Sequence, residues 1–382
     1  MPSPSTFFVH EISETGRIAG IDNFSGGAGP YTRFVLKKSL WATPDAIRVI
    51  SKALRVGASR FGYAGNKDRN ATTFQLVSAY KIPASSLSAL SIKDISLSDF
   101  HLSESPVRIG ALLGNRFKAT LPIPDEIVVG RASLVAEIPN FFGEQRFGNV
   151  RRNTAKVGYL ILKGLFRDAV MEILTSIKGE KHKEAIEARK RLSEELNFSS
   201  ALEYFPRHLK LERLILSSLA EHERDFINAF RRLPIHVRTL FVHAFQSYLF
   251  NLELKERIEE GPLEQEQGEY FCASNSYGFP DIGSKGDQWF VGKLIGYESV
   301  LSKRQEELLS SFGLKKEDFK VRQMPELSAK GSFRALFVPV LDFKMPIEFS
   351  LPKGAYATVF LNFLERKEFL PSEFFERDLH EL

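Results

Sequence analysis

"RFGYAGNKDRNATTFQLVSA", Arg60 to Ala79, climbs from an apolar run into Gly-Asn-Lys-Asp-Arg-Asn and resumes as Thr-Thr-Phe-Gln-Leu-Val. Apolar and β-branched residues on either side of a Gly, Asn and Asp cluster predict two strands, 60–64 and 72–79, joined by a turn. Asp68 falls on that connection, between Lys67 and Arg69. Neighbouring cations favour the charged form of a carboxylate, so Asp68 suits a nucleophile or an electrostatic partner and not a general acid. An ionised carboxylate attacking an electrophilic carbon is established chemistry, as at sugar anomeric centres. The same residue types also make an ordinary solvated turn. Spacing alone leaves both readings open.

Working outward, residues 6–12 (TFFVHEI) and 32–37 (TRFVLK) read as strands around the Gly-rich loop NFSGGAGPY. Thr43-Pro44-Asp45 opens a helix, with Thr43 as its cap, Pro44 in the first turn and Ile47, Ile50, Ala53 and Leu54 on its apolar face. "IPASSLSALSIKDISLSDFHL" keeps regular Leu and Ile and reads as a short helix and a strand. Residues 115–121 form another strand, and the double-proline stretch LPIPDE leads into a helix to about Ala136. Strands alternating with helices at these intervals predict an α/β sheet.

After Arg152 the texture changes. Residues 154–177, 183–196, 211–230 and 235–260 carry helical periodicity, the last stopped by Gly261-Pro262. A mostly helical block is expected over about 154–315, with a Gly- and aromatic-rich loop from Gly268 to Gly296 inside it. Strand runs return at 333–340, 347–349 and 355–361. Three such runs are too few to close a core alone. The economical reading has them completing the N-terminal sheet, which makes the helical block an insertion.

Composition limits the function classes. With 43% hydrophobic and 26% charged residues the chain is ordinary globular protein. No window holds eighteen uncharged apolar residues, and the start has neither a basic n-region nor an apolar h-region. The single cysteine, Cys272, supplies no disulfide framework and no Cys-type zinc site, so a cytoplasmic, reducing compartment is the simplest placement. Net charge is +5, a weak pointer to polyanions until its distribution is considered. From Gln145 to Arg167 there is no Asp or Glu, while Arg146, Arg151, Arg152, Lys156, Lys163 and Arg167 all fall there. Such a stripe either attracts phosphates or is balanced by acidic residues elsewhere in the fold.

Other stretches carry candidate chemistry. "PNFFGEQRFG", Pro139 to Gly148, can bring a ring, an amide and a guanidinium together, which suits holding a planar base. It can equally be a hydrophobic turn in which Arg146 pairs with Glu144. "FSLPKGAYATVFL", Phe349 to Leu361, reads as a hairpin that completes the sheet. In "HAFQSYLFN", Phe245, Tyr248, Leu249 and Phe250 read as helix core, and Gln246, Ser247 and Asn251 lie off that face without a legible task. His236 and His243 are seven apart with no acidic partner at ligand spacing, so no metal set is expected. No P-loop appears, and "GGAG" lacks a dinucleotide-binding context.

Taken in order, "FFVHEI", "GYAGNKDRNATT", "PNFFGEQRFG", "AFQSYLFN" and "LPKGAYATVFL" resemble the TruD family of tRNA pseudouridine synthases, more its archaeal branch than its bacterial one. The resemblance implies an α/β (α+β) pseudouridine synthase core with a mixed or antiparallel sheet, interrupted by a mostly helical insertion. Residues 1–151 would be the first part of the catalytic domain, 152–333 the insertion and 334–382 the completing strands. It implies Asp68 as the catalytic carboxylate, Phe142 packing against the target base, and Asn140 orienting the Asp68 loop, with Lys67 in support. The implied substrate is tRNA, with uridine 13 the usual target. Isomerising uridine leaves its net composition unchanged and exchanges no electrons, so no cofactor and no metal is expected. Arg69, Gln145, Arg146, Arg151 and Arg152 are the RNA-facing candidates.

One departure stands out. The family pattern has a basic residue just ahead of the first strand motif, as a partner for the Asp. This sequence has no Lys or Arg before Arg17. Either the chain starts further upstream, or a cation from elsewhere substitutes, Lys67 and Arg69 being nearest in sequence. Two other functions fit the residues less fully. A non-catalytic tRNA-binding or folding protein would not need Asp68. A carboxylate hydrolase acting on a sugar would need a second acid at a fixed distance from Asp68, and none is marked.

Overall fold

The computed structural model describes residues 5–148 and 150–371. The chain divides into two compact units. The first, residues 1–140, 272–289 and 337–369, opens with β1 (Phe7–Ser13), β2 (Tyr31–Lys38), α1 (Thr43–Ala53), β3 (Phe61–Tyr63), β4 (Thr72–Tyr80), α2 (Ala84–Ser88), β5 (Ile95–Ser103), β6 (Leu112–Ala119), α3 (Asp125–Ala132) and β7 (Glu137–Pro139). The second, which among the described residues takes in 141–148, 150–271, 290–336 and 370–371, is mostly helical. It carries α4 (Thr154–Leu162), α5 (Phe166–Thr175), α6 (Lys183–Glu195), α7 (Phe198–Tyr204), α8 (Lys210–Glu221), α9 (Phe226–Arg231) and α10 (Ile235–Glu260). Next come β8 (Tyr270–Cys272), β9 (Trp289–Leu294), α11 (Lys303–Ser311) and β10 (Ser332–Ala335). The chain then supplies β11 (Phe337–Pro339), β12 (Leu341–Lys344), β13 (Glu348–Pro352) and α12 (Ala357–Arg366) to the first unit.

The first unit is built on a mixed sheet of order β12-β13-β6-β1-β4-β2-β5, with β3 also paired to β4. Only β1 and β4 run parallel; the other pairs are antiparallel. Strand alternation divides the core in two. Phe34, Leu36, Val77 and Ala79 face α1, where Ala46, Ile47 and Ile50 meet them. Val35 and Leu76 point the other way, onto Ala19, Phe24, Val107 and Leu112. In the second unit α10 packs along α4, and Gly158 is what lets them close: a Cβ there would meet the Phe241 carbonyl oxygen at 2.1 Å.

Several expectations are corrected. Residues 355–361, expected as a strand, begin α12. Ala357, Phe360, Leu361 and Leu364 are all buried at helical spacing, and that period outweighs the β propensity of Thr, Val and Phe. The loop expected from Gly268 to Gly296 contains β8 and β9, which form a three-stranded sheet with β10. The single strand expected over 333–340 is two: β10 pairs with β9, and β11 with β7. The break falls at Leu336, whose N–H is taken by the Phe290 carbonyl. Thr43 does not cap α1; the cap position is Ala42, and the Thr43 hydroxyl is used on the Asp68 loop instead. The helix α10 is buried all round between Ala244 and Asn251, because it is the centre of its unit and not an amphipathic surface helix.

Candidate active site

The loop joining β3 to β4 is held from beneath at successive peptide groups. Gln75 donates to the Gly65 carbonyl at 3.2 Å, and Thr43 Oγ1 accepts from Lys67 N at 3.0 Å. The Lys38 ammonium donates to the Lys67 and Asp68 carbonyls at 3.2 and 3.1 Å, and to Trp41 O at 2.7 Å. Lys67 turns inward, its Nζ 2.7 Å from Glu11 Oε2, with both side chains buried. Parallel pairing of β1 with β4 stops at His10 and Phe74, and the Glu11 carboxylate takes over by accepting from Leu76 N at 3.1 Å. Arg69 is exposed and donates to the Leu40 carbonyl at 3.1 Å.

Asp68 also faces out, and it is the carboxylate at the tip of the loop. Its Oδ1 accepts from Asn70 N at 2.9 Å, an Asx turn that fixes the carboxylate at the tip, and the residue is exposed. Neither cation next to it in sequence makes an ion pair with it: Lys67 serves Glu11, and Arg69 serves Leu40. The cation that senses Asp68 is Lys38. Burial pushes the Lys38 ammonium down to about 8, the Asp68 charge opposes that shift, and the Lys67 charge adds to it. Sequence reasoning passed over Lys38, although alternation puts it on the inward face shared by Phe34 and Leu36.

The Phe-Phe-Gly loop lies in the second unit and is organised by α10. Asn251, fully buried, clamps Phe142 with both ends of its amide: Oδ1 accepts from Phe142 N at 2.8 Å and Nδ2 donates to Phe142 O at 2.8 Å. One turn earlier, Ser247 Oγ accepts from Arg146 Nε at 3.1 Å. Gln246 donates to Ile295 O at 2.6 Å. Polar residues at i and i+4 on an otherwise apolar helix were the available signal for this role. The Phe142 ring stands edge-on to Phe250 at 5.7 Å and is overlaid by the Arg334 guanidinium at 3.9 Å, with Arg146 at 5.8 Å. A short 3-10 turn, Glu144–Phe147, ends at Gly148, whose φ of 101° suits glycine.

Asn140 is buried, and Gln145 is exposed. The basic stripe is largely balanced within its own unit. Arg152 pairs with Glu144 at 2.6 Å, Lys156 with Glu172 at 3.3 Å, and Arg167 with Asp168 at 3.9 Å. Arg151 donates to the Ile173 carbonyl at 2.6 Å and to Glu212 at 3.1 Å, beside the buried Arg189–Glu212 pair. Among the described residues no three His, Cys, Asp or Glu side chains gather as a metal would need, and no helix is long and apolar enough to cross a membrane.

The family described as tRNA pseudouridine synthase D (TruD) matches residues 2–363. A Methanopyrus kandleri protein named "Probable tRNA pseudouridine synthase D" is 37% identical over 91% of this chain and 87% of its own. One of the same name from Pyrococcus furiosus is 34% identical over 87% and 88%. Among solved structures, a Methanosarcina mazei protein described as "Putative tRNA pseudouridine synthase D (TruD)" superposes with a TM-score of 0.72 at 29% identity, over 95% of this chain and 92% of that one.

Proposed function

The chain belongs to the TruD family of pseudouridine synthases, and from that footing we propose that it isomerises uridine 13 of tRNA, with Asp68 as the reacting carboxylate and Phe142 as the ring that receives the base. The observation that supports Asp68 is the contrast within its loop. Lys67 is turned inward, the Asp68 carbonyl is bonded from below, and one carboxylate is presented outward. Such a group is preorganised for attack or proton removal at the sugar–base unit without reorganising its own backbone.

The reaction breaks the N-glycosidic bond, rotates the uracil and rejoins it through C5. The base must first leave its stack, which costs a few kcal/mol and needs a stacking partner. In this proposal the base meets the Phe142 ring, and Arg334, now stacked there, moves aside or stays as a second plane against the uracil. Asn140 steadies the Asp68 loop, as the family resemblance implies, and Lys67 supports it through Glu11. Arg69, Gln145, Arg146 and Arg152 face the RNA. Arg151 is left out of that set because its guanidinium is the more buried and is held by both Ile173 and Glu212, whereas Arg152, paired with Glu144, keeps about a third of its side chain exposed. A cytoplasmic setting belongs to the same proposal.

The test uses a tRNA transcript carrying 5-tritiated uridine. Isomerisation exchanges the C5 hydrogen, so tritium appears in solvent. Release that disappears when uridine 13 alone is replaced by cytidine supports the assignment; undiminished release from that transcript contradicts the target position.

A further inference from the structure

Lys38 is fully buried, and among the described residues its ammonium makes no ion pair with a carboxylate. A buried cation without a paired anion is costly, and a methionine of similar length would avoid the cost if the site needed only packing. The cation is instead solvated by carbonyl dipoles, two of which belong to the Asp68 loop. Those two carbonyls, Lys67 O and Asp68 O, lie in the peptide groups on either side of the Asp68 Cα. Fixing both planes fixes φ and ψ of Asp68 and hence the direction in which its side chain leaves the backbone. Thr43, on the same β2–α1 corner, holds the preceding peptide through Lys67 N. Lys67 itself is committed to Glu11 and Arg69 to Leu40, so neither can do this.

We propose that Lys38 is the positioning residue for the Asp68 carboxylate: from inside the sheet it locks the two peptide groups flanking Asp68 and sets a positive charge beneath them. Lys38 touches no substrate. It acts through the loop, and the inference rests on Asp68 being the reacting carboxylate.

The test compares wild type, Lys38→Met, Thr43→Val and Asp68→Ala on tRNA, each held well below its own unfolding midpoint so that folded fractions are equal. Lys38→Met is expected to lower kcat about 100-fold, the size of effect a displacement of about 1 Å produces, while KM for tRNA stays within about twofold. Thr43→Val, which loosens the same loop without touching the charge, is expected to lower kcat about tenfold with the same unchanged KM. A folded Lys38→Met whose kcat is within about threefold of wild type overturns the proposal, and so does a loss confined to KM. If Lys38→Met does not fold, Thr43→Val decides: wild-type kcat in that variant overturns the proposal. Asp68→Ala separates the two possible failures. If it turns over normally, the reading of Asp68 falls and this one with it; if it is inactive while Lys38→Met is normal, only Lys38 is removed.

Discussion

The guanidinium carbon of Arg334 lies 3.9 Å from the centroid of the Phe142 ring. The Phe142 ring thus already carries a planar, cationic occupant, with its backbone fixed by Asn251. A guanidinium on an aromatic face is worth about 0.5–2 kcal/mol, and base stacking about 1–3 kcal/mol, so exchange of one for the other is energetically balanced.

Phe142→Leu should therefore separate stacking from packing. Leucine keeps most of the buried volume but offers no π-face. The expected result is a folded protein with kcat/KM for tRNA lowered about tenfold or more, in line with the loss of one base stack. Wild-type kcat/KM in that variant would remove the ring from base recognition. Steady-state kinetics with a parallel thermal melt gives the answer.

The Lys67–Glu11 pair predicts a stability effect that is not a direct catalytic one. Lys67→Met leaves Glu11, 1% exposed, without its cation, and the expected cost is about 3–5 kcal/mol. Adding Glu11→Gln keeps an acceptor for Leu76 N and removes the orphaned charge, so the double variant should recover much of that loss. Urea unfolding of the four proteins completes the cycle; additive costs would mean that the two side chains do not cooperate.

A pH effect is expected in the helical unit. Burial pushes the Glu253 carboxyl from 4.5 up to about 7, against hydrogen bonds from Gln305 and the charge of Arg257, with Glu266 and Glu269 adding to the rise. Between those values the folded chain holds a proton that the unfolded chain has released, so stability falls as pH rises from 4.5 to 7. Glu253→Gln should flatten that slope and raise Tm at about pH 8, by about 2–4 °C for each kcal/mol recovered. An unchanged slope between the two proteins would place the titration elsewhere.

The sequence displays local rules well and tertiary commitments poorly. The β3–β4 turn with Asp68 at its tip and the full length of α10 were legible, because turn chemistry and helical period are properties of neighbouring residues. The start of α12 was misread because Thr, Val and Phe favour strands while the burial of Phe360, Leu361 and Leu364 is a helical pattern. The direction of Lys67 was hidden, since its partner Glu11 is a distant residue on another strand. The basic stripe from Arg146 to Arg167 looked available for phosphate, yet Glu144, Glu172 and Glu212 neutralise much of it. Glu172 comes from the helix at the end of the stripe, and Glu212 from one far along the chain.

The most direct measurement is the single-turnover rate of uridine isomerisation in tRNA by Asp68→Ala beside wild type, with tRNA affinity and far-ultraviolet circular dichroism recorded on the same samples. The account predicts a rate at least about 10⁴-fold below wild type, with affinity and helix content unchanged. Wild-type turnover by a correctly folded Asp68→Ala would contradict it.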